Sequence, residues 1–211
     1  NAKRFVSEAI ESVKAQTYNN WELLIVDDCS TDGTPEIIGA YAQDDKRIKL
    51  FRLSENSGAA VARNVAIKNA CGRFIAFLDS DERWKADKLR TQVSFMIENK
   101  VGFSFSEFEY IADGDMRNTN PFTVPDTLNY HQALKKTVIG CLTVMLDTTI
   151  IGNFEMPLVR RGQDNLTWLM LLKKGYIAYG IHENLAEYRQ VKGSLSNSKV
   201  KALRRQWHNY R

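Results

Sequence analysis

Trp21-Glu22-Leu23-Leu24-Ile25-Val26-Asp27-Asp28-Cys29-Ser30 and Arg73-Phe74-Ile75-Ala76-Phe77-Leu78-Asp79-Ser80-Asp81-Glu82 decide the fold. Each is an apolar run of strand length that stops on carboxylates. Such runs mark strands covered on both faces, as in parallel sheets. The segments around them have helical period. Phe5, Val6, Ala9, Ile10 and Val13 form one face of a first helix, which ends in a polar turn over 17–20. Thr34-Pro35 opens a second, with Thr34 as N-cap and Pro35 in the first helical position, and Ile37, Ile38 and Tyr41 form its buried stripe. A strand over 48–53 follows. The small residues of Ser54 to Gly58 then open a helix carrying Ala62, Val65, Ala66 and Ala70. The strand of 73–78 leads to a helix over 84–99, with Leu89, Val93 and Met96 on one face. Residues 4–99 thus alternate helix and strand, which predicts an α/β protein with a mostly parallel central sheet flanked by helices.

The second half has another texture. Residues 101–110 alternate, with Phe103, Phe105 and Phe108 marking a half-buried strand. Residues 112–129 are polar, contain Pro121 and Pro125, and read as a long loop. A buried segment spans 138–146. A helix over 160–175 stops at Gly175, and 176–181 and 185–189 read as two short strands, with His182 in the turn between them.

At 211 residues and a net charge of +4 the chain fits one globular domain. No run approaches the roughly 18 apolar residues of a membrane span, and no signal peptide is legible. Cys29, Cys71 and Cys141 are scattered and form no CxxC pair, so neither a zinc site nor a disulfide framework is expected. The reducing cytosol is the expected compartment. The charge is uneven. From Gln190 onward there are six basic residues, Lys192, Lys199, Lys201, Arg204, Arg205 and Arg211, and no acidic one, with Trp207 and Tyr210 interleaved. This tail reads either as a solvated helix or as a contact to an anionic membrane face. It lacks a stacking motif for nucleic acid, which is not expected as a partner.

In open α/β sheets ligands bind beyond the carboxyl ends of the strands. Carboxylates gathered there suit a hard cation and a polyol or nucleotide. Asp79-Ser80-Asp81 is a surface turn on the bland reading. On the sharper one it divides labour between a sugar hydroxyl and a metal. Asp27-Asp28 before Ser30-Thr31-Asp32-Gly33-Thr34 is turn chemistry, or a carboxylate taking the imide N–H of uracil. Arg63 is a surface ion pair or the counter-charge of a diphosphate. Asp164 complements a helix dipole or serves as a general base, with Arg160-Arg161 favouring its ionised form. His131, His182 and His208 show no ligand spacing, although His182 could line a site. No Gly-rich phosphate loop and no Gly-x-Ser-x-Gly occurs.

Val26-Asp27-Asp28-x-Ser30-Thr31-Asp32-Gly33-Thr34 comes first. Asn56-Ser57-Gly58 with Ala62-Arg63-Asn64, Phe77-Leu78-Asp79-Ser80-Asp81, and Trp84 with Lys88-Leu89 then follow in order. Together they resemble the inverting family 2 glycosyltransferases, which have the GT-A fold. Gln163-Asp164 with Trp168-Leu169 and Leu171 to Gly175 is similar to the segment that holds their catalytic base, and Tyr188-Arg189 to a motif that often follows it. The look is that of bacterial enzymes of cell-surface polysaccharide assembly, of the teichuronic acid type. The resemblance spans nearly the whole chain. It implies a single domain over 1–211, with a nucleotide-sugar half at 1–99, an acceptor and base half at 100–190, and the basic tail at 191–211.

By the same resemblance Asp28, with Asp27, contacts the uracil of a UDP-sugar and Arg63 lies near the nucleotide. Asp79 holds ribose or donor sugar. Asp81 ligates Mg²⁺ or Mn²⁺, and Asp164 deprotonates the hydroxyl of a glycan or lipid-linked glycan acceptor. The implied setting is the cytoplasm at the inner face of the plasma membrane. Two departures stand out. The family opens with a central apolar strand ending in a turn that Asn1 matches, so that strand is absent from this sequence. Gln163 also stands where many relatives carry an acid. A missing central strand raises the alternative of a binding-only, inactive relative. Leu-Leu-Ile-Val-Asp-Asp also fits a receiver-like signalling domain, although that leaves 163–175 without a role.

Overall fold

The computed structural model describes residues 1–112, 118–135 and 138–190. The basic tail, with His208, lies outside the described residues. Helix α1 (Val6–Lys14) precedes β1 (Leu23–Asp27), α2 (Thr34–Asp44), β2 (Ile48–Arg52) and α3 (Ala59–Asn69). Then come β3 (Phe74–Ala76), β4 (Arg83–Trp84) and α4 (Lys88–Asn99). The second half carries β5 (Phe103–Ala112), β6 (Asn118–Phe122), β7 (Thr127–Leu128) and α5 (Tyr130–Lys135). It closes with β8 (Met145–Asp147), α6 (Thr148–Ile151), α7 (Gln163–Lys173) and β9 (Ala178–Gln190).

The α/β class and the alternation of the first half are borne out, with corrections in detail. Strand directions are mixed rather than mostly parallel. β1·β2 and β5·β9 run parallel, while β8 is antiparallel to both β3 and β5, and β4, β6 and β7 are antiparallel to their neighbours. Gly33, in the left-handed region at φ 83°, caps α2 in place of Thr34. Thr34 instead donates to Asp32 Oδ1 at 2.5 Å and accepts from the Ala2 N–H. Trp84 falls in β4, ahead of its helix, because its backbone pairs with Ala186 of β9, and its indole N–H donates to the Leu142 carbonyl at 3.0 Å. The segment read as a loop over 112–129 contains β6 and β7, which pair with β5 and β9. The buried segment of 138–146 is broken by a 3-10 turn at Cys141–Thr143 before β8. The two strands expected near the end are one, β9, whose pairing with β5 slips between Ser106 and Phe108, so that His182 lies within the strand.

One glycine there is obligatory. A Cβ on Gly180 would fall 2.0 Å from the Pro125 carbonyl oxygen, and the Gly180 N–H donates to the Asp126 carbonyl at 2.8 Å. The 123–128 segment therefore lies directly on β9. His182 reinforces it, with Nε2 2.6 Å from Asp126 and Nδ1 3.4 Å from Glu107.

The sheet is in two pieces. Among the described residues β1 pairs with β2 alone and β3 with β8 alone, so each keeps one edge free of a strand partner. Both edges line the same cleft. Its cavities of about 320 and 770 Å³ are walled by Leu23 to Val26 from β1 and Phe74 to Leu78 around β3, floored by alanines of α3. Apolar strand residues that would be covered in a continuous sheet are only half-buried.

Packing forms three cores. One joins α1, α2, β1 and β2 through Val6, Ile10, Ile38 and Ile48. The second lies under α4, around Trp84, Val93, Met96 and Phe108. The third centres on Trp168 of α7, whose indole sits 5.6 Å from the rings of both Phe77 and Phe103. Among the described residues no helix is long and apolar enough to cross a membrane.

Lys88 lies in the second region at 0 % exposure. Its ammonium donates to Gln92 Oε1 and sits 4.9 Å from the Trp84 ring centroid. Burial lowers its pKa to about 7. Between that value and the ordinary lysine range the unfolded chain holds a proton that the folded chain does not, so stability rises with pH. Wild type is expected to gain about 2 kcal/mol in urea unfolding from pH 7 to pH 9 relative to Lys88→Met. Parallel pH profiles for the two proteins would show that Lys88 stays charged in the core.

Candidate active site

The first bank is the carboxyl end of β1. Asp27 is 4 % exposed and accepts from the Ser30 N–H at 3.1 Å. Asp28 lies just beyond the strand. Its carboxylate accepts from the Ser57 N–H at 2.7 Å and the Gly58 N–H at 2.9 Å, and its carbonyl accepts from Asn56 Nδ2 at 3.1 Å. Asn56-Ser57-Gly58 is thereby pinned to β1. Gly58 at φ 89° makes the turn into α3 that most side chains would resist. Each Asp28 oxygen keeps a lone pair for a ligand.

The second bank follows β3. Arg63 of α3 crosses the cleft floor to pair with Asp79, its side chain 16 % exposed against 44 % for the carboxylate. Burial works against the guanidinium charge, and Asp79 more than offsets it, raising the Arg63 pKa. Asp28, Arg63 and Asp79 line one cavity. The turn from Asp79 to Glu82 closes with the Glu82 N–H on the Asp79 carbonyl at 3.1 Å. From behind, Arg189 Nε donates to the Asp81 carbonyl at 2.9 Å and its other arm reaches Glu8 at 2.5 Å. The arginine of Tyr188-Arg189 thus holds the acidic turn in shape.

That turn carries more negative charge than its neighbours balance. Among the described residues neither Asp81 nor Glu82 has an ion-pair partner, and Glu82, 4 % exposed, leaves Oε2 without a hydrogen bond. Burial and the nearby Asp79 charge raise Asp81. Burial, Asp79 and Asp81 raise Glu82 well above the usual range. A hard cation fits such oxygens. No group of three or more His, Cys, Asp or Glu among the described residues forms an all-protein cage. The fit is therefore to a cation held by one or two carboxylates together with ligand phosphates.

Asp164 stands half-buried in the first turn of α7, after Gly162 at φ 74°. Two contacts aim that helix. Trp168 anchors it to Phe77 just ahead of Asp79. Asn64, beside Arg63, bonds both the Met156 N–H and the Met156 carbonyl, at 2.7 and 2.9 Å, fixing the segment that leads into α7. The charges of Asp79 and Asp164 both act on Arg63. Cys141 lies among them. Burial pushes its thiol up, Arg63 pulls it down, and the Asp79, Asp164 and Glu82 charges push it further up.

Asp81 and Asp164 therefore each lie within electrostatic reach of the Arg63–Asp79 pair, with Asp28 across the cleft and Asp27 buried behind it. The cysteine spacing had pointed away from Cys141, and nothing in the sequence marks its approach. His131 packs edge-on to Tyr130, and His182 ties down the 123–128 segment.

The chain has the GT-A glycosyltransferase fold. S. aureus TarS 1-349 in complex with UDP-GlcNAc superposes with a TM-score of 0.76 at 20% identity, over 99% of this chain and 63% of that chain. The chain thus spans less than two thirds of that neighbour, and the likeness is one of fold. The Glycosyl transferase family 2 profile matches residues 1–148, and the chain belongs to that family. TuaG of Bacillus subtilis, a glycosyltransferase provisionally assigned to teichuronic acid biosynthesis, is 49% identical over 100% of this chain and 84% of its own length. The Escherichia coli UDP-Glc:alpha-D-GlcNAc-diphosphoundecaprenol beta-1,3-glucosyltransferase WfgD is 42% identical over 98% of this chain and 80% of its length. The receiver-like reading falls with the family match.

Proposed function

We propose that this glycosyltransferase moves a sugar from a UDP-sugar, with inversion, to a hydroxyl of a lipid-linked glycan acceptor in cell-surface polysaccharide assembly. The observation that carries the reading is the Arg63–Asp79 pair, which lines the cleft with Asp28 and on which the Asp164 charge acts. Residues 1–99 bind the nucleotide sugar and 100–190 the acceptor, within one domain. Asp28, with Asp27 behind it, accepts the uracil imide N–H. Arg63 faces the diphosphate, and Asp79 takes a ribose or sugar hydroxyl on the lone pairs its ion pair leaves free. Asp81 is the ligand for Mg²⁺ or Mn²⁺. When bound, the cation neutralises charge on the departing diphosphate.

Asp164 then removes the proton of the acceptor hydroxyl as its oxygen bonds to the anomeric carbon. The bond from that carbon to the diphosphate oxygen breaks, its electron pair leaves on UDP, and the configuration inverts because attack and departure occur on opposite faces. The names of the enzymes similar to this chain support the acceptor class. A lipid-linked acceptor places the reaction at the inner membrane face.

Calorimetric titration with UDP tests the donor site. Binding is expected with Mn²⁺ and is expected to weaken by an order of magnitude or more with chelator. Equal binding in both conditions would remove the metal from the proposal. No binding by the folded chain would refute the proposed donor site and the binding-only alternative together.

A further inference from the structure

The segment between α6 and α7 is pinned at both ends, by Asn64 on Met156 and by the left-handed Gly162. Between the pins it projects outward. The Val159 N–H closes a tight turn on the Pro157 carbonyl at 2.7 Å, and Leu158 at its tip is 75 % exposed, more than Ile97, Ile150 or Met170. Arg160 and Arg161 follow, both exposed. Arg47, Arg63, Arg73, Arg83 and Arg189 each hold a carboxylate. Arg160 and Arg161, by contrast, have no hydrogen bond or ion pair among the described residues. Two adjacent free guanidinium groups beside a projecting leucine, on a segment fixed at both ends, are poised for an anion joined to hydrocarbon.

Distance along the chain fixes which anion. Arg161 precedes Asp164 by three residues, so their Cα atoms lie at most about 11 Å apart. A sugar whose free hydroxyl meets Asp164 presents its own anomeric substituent one ring away, within reach of both arginine side chains. Guanidinium forks match phosphate oxygens in pairs.

We propose that Arg160 and Arg161 grip the diphosphate that joins the acceptor sugar to its lipid, while Leu158 lies against the first carbons of that lipid. This rests on the lipid-linked acceptor proposed above and adds the residues that read it. It also limits the acceptor, since a sugar directly on the diphosphate fits and a long glycan between hydroxyl and diphosphate does not.

The test is equilibrium binding of two soluble probes. One is an N-acetylglucosaminyl diphosphate on a short alkyl chain, and the other is the same sugar as an alkyl glycoside without phosphate. Arg160→Gln with Arg161→Gln is expected to weaken the diphosphate probe by about 10–100-fold. The phosphate-free probe and UDP should bind as before. Arg160→Lys with Arg161→Lys should recover part of the loss, as charge without a fork. Equal diphosphate affinity in wild type and the Gln variant overturns the inference, as does an equal loss for both probes. A variant defective only on vesicles containing phosphatidylglycerol overturns it too, in favour of a membrane contact. Failure of wild type itself to bind the diphosphate probe would instead refute the acceptor class, and the inference with it.

Discussion

Asp164→Asn should lower the rate of sugar transfer by about 10²–10⁴-fold, the range a positioned general base contributes, and leave UDP affinity unchanged. The amide preserves shape and hydrogen bonding but cannot take the proton of the attacking hydroxyl. Asp164 sits in the first turn of α7, where a carboxylate also complements the helix dipole. Losing that complement costs about 0.3–1 kcal/mol of stability and would appear in the melting temperature, not in turnover. The two roles therefore separate in two measurements. Transfer at the wild-type rate would reduce Asp164 to a helix-end acid. Parallel loss of transfer and UDP binding would move it to the donor side.

Asp81→Asn should cut transfer by about 10³-fold, matching the several kcal/mol a divalent cation supplies at a departing diphosphate. It should also erase the difference between UDP binding with Mn²⁺ and with chelator. Folding should not suffer. Burial and the Asp79 charge already disfavour the ionised Asp81 carboxylate, and its anchor to Arg189 runs through the backbone carbonyl, which the substitution keeps. An unchanged or raised melting temperature with lost metal dependence is the expected pair. A variant that keeps metal-dependent UDP binding would shift the ligand role elsewhere, with buried Glu82 next in line.

The site was legible where chemistry and periodicity coincide. An apolar run ending in Asp27-Asp28 or Asp79-Ser80-Asp81 states both its strand and where that strand stops, because carboxylates that need hydrogen-bond partners or a ligand collect at strand ends. The place of Asp164 in the first turn of a helix was legible from the apolar run that follows it, while its proposed role as base came from the resemblance. Other features depend on partners far along the chain. The continuity of β9 was hidden because polar His182, Glu183 and Asn184 interrupt the strand pattern where its register slips. β6 and β7 were hidden by prolines and by brevity, since both are edge additions to longer strands. Lys88 looks like a surface residue in sequence, yet Trp84 and Gln92 enclose it. The Arg63–Asp79 pair and the approach of Cys141 arise only once α3, β3 and the 3-10 turn have packed.

The divided sheet has a thermodynamic consequence for the ligand. Asp27 and Asp28 belong to the β1 piece, Asp79 and Asp81 to the β3 piece, and among the described residues no strand ladder joins the two. Among the contacts between them are Glu8 of α1 on Arg83 and Arg189, and α3, whose capping Gly58 donates to Asp28 and whose Arg63 pairs with Asp79. A nucleotide sugar that touches both banks binds only the spacing that matches it, so any share of molecules with another spacing would lower its apparent affinity by that fraction. Linkage makes this reciprocal. Whatever bridges the β1 and β3 edges tightens the nucleotide, and the nucleotide, by the same factor, tightens whatever bridges them.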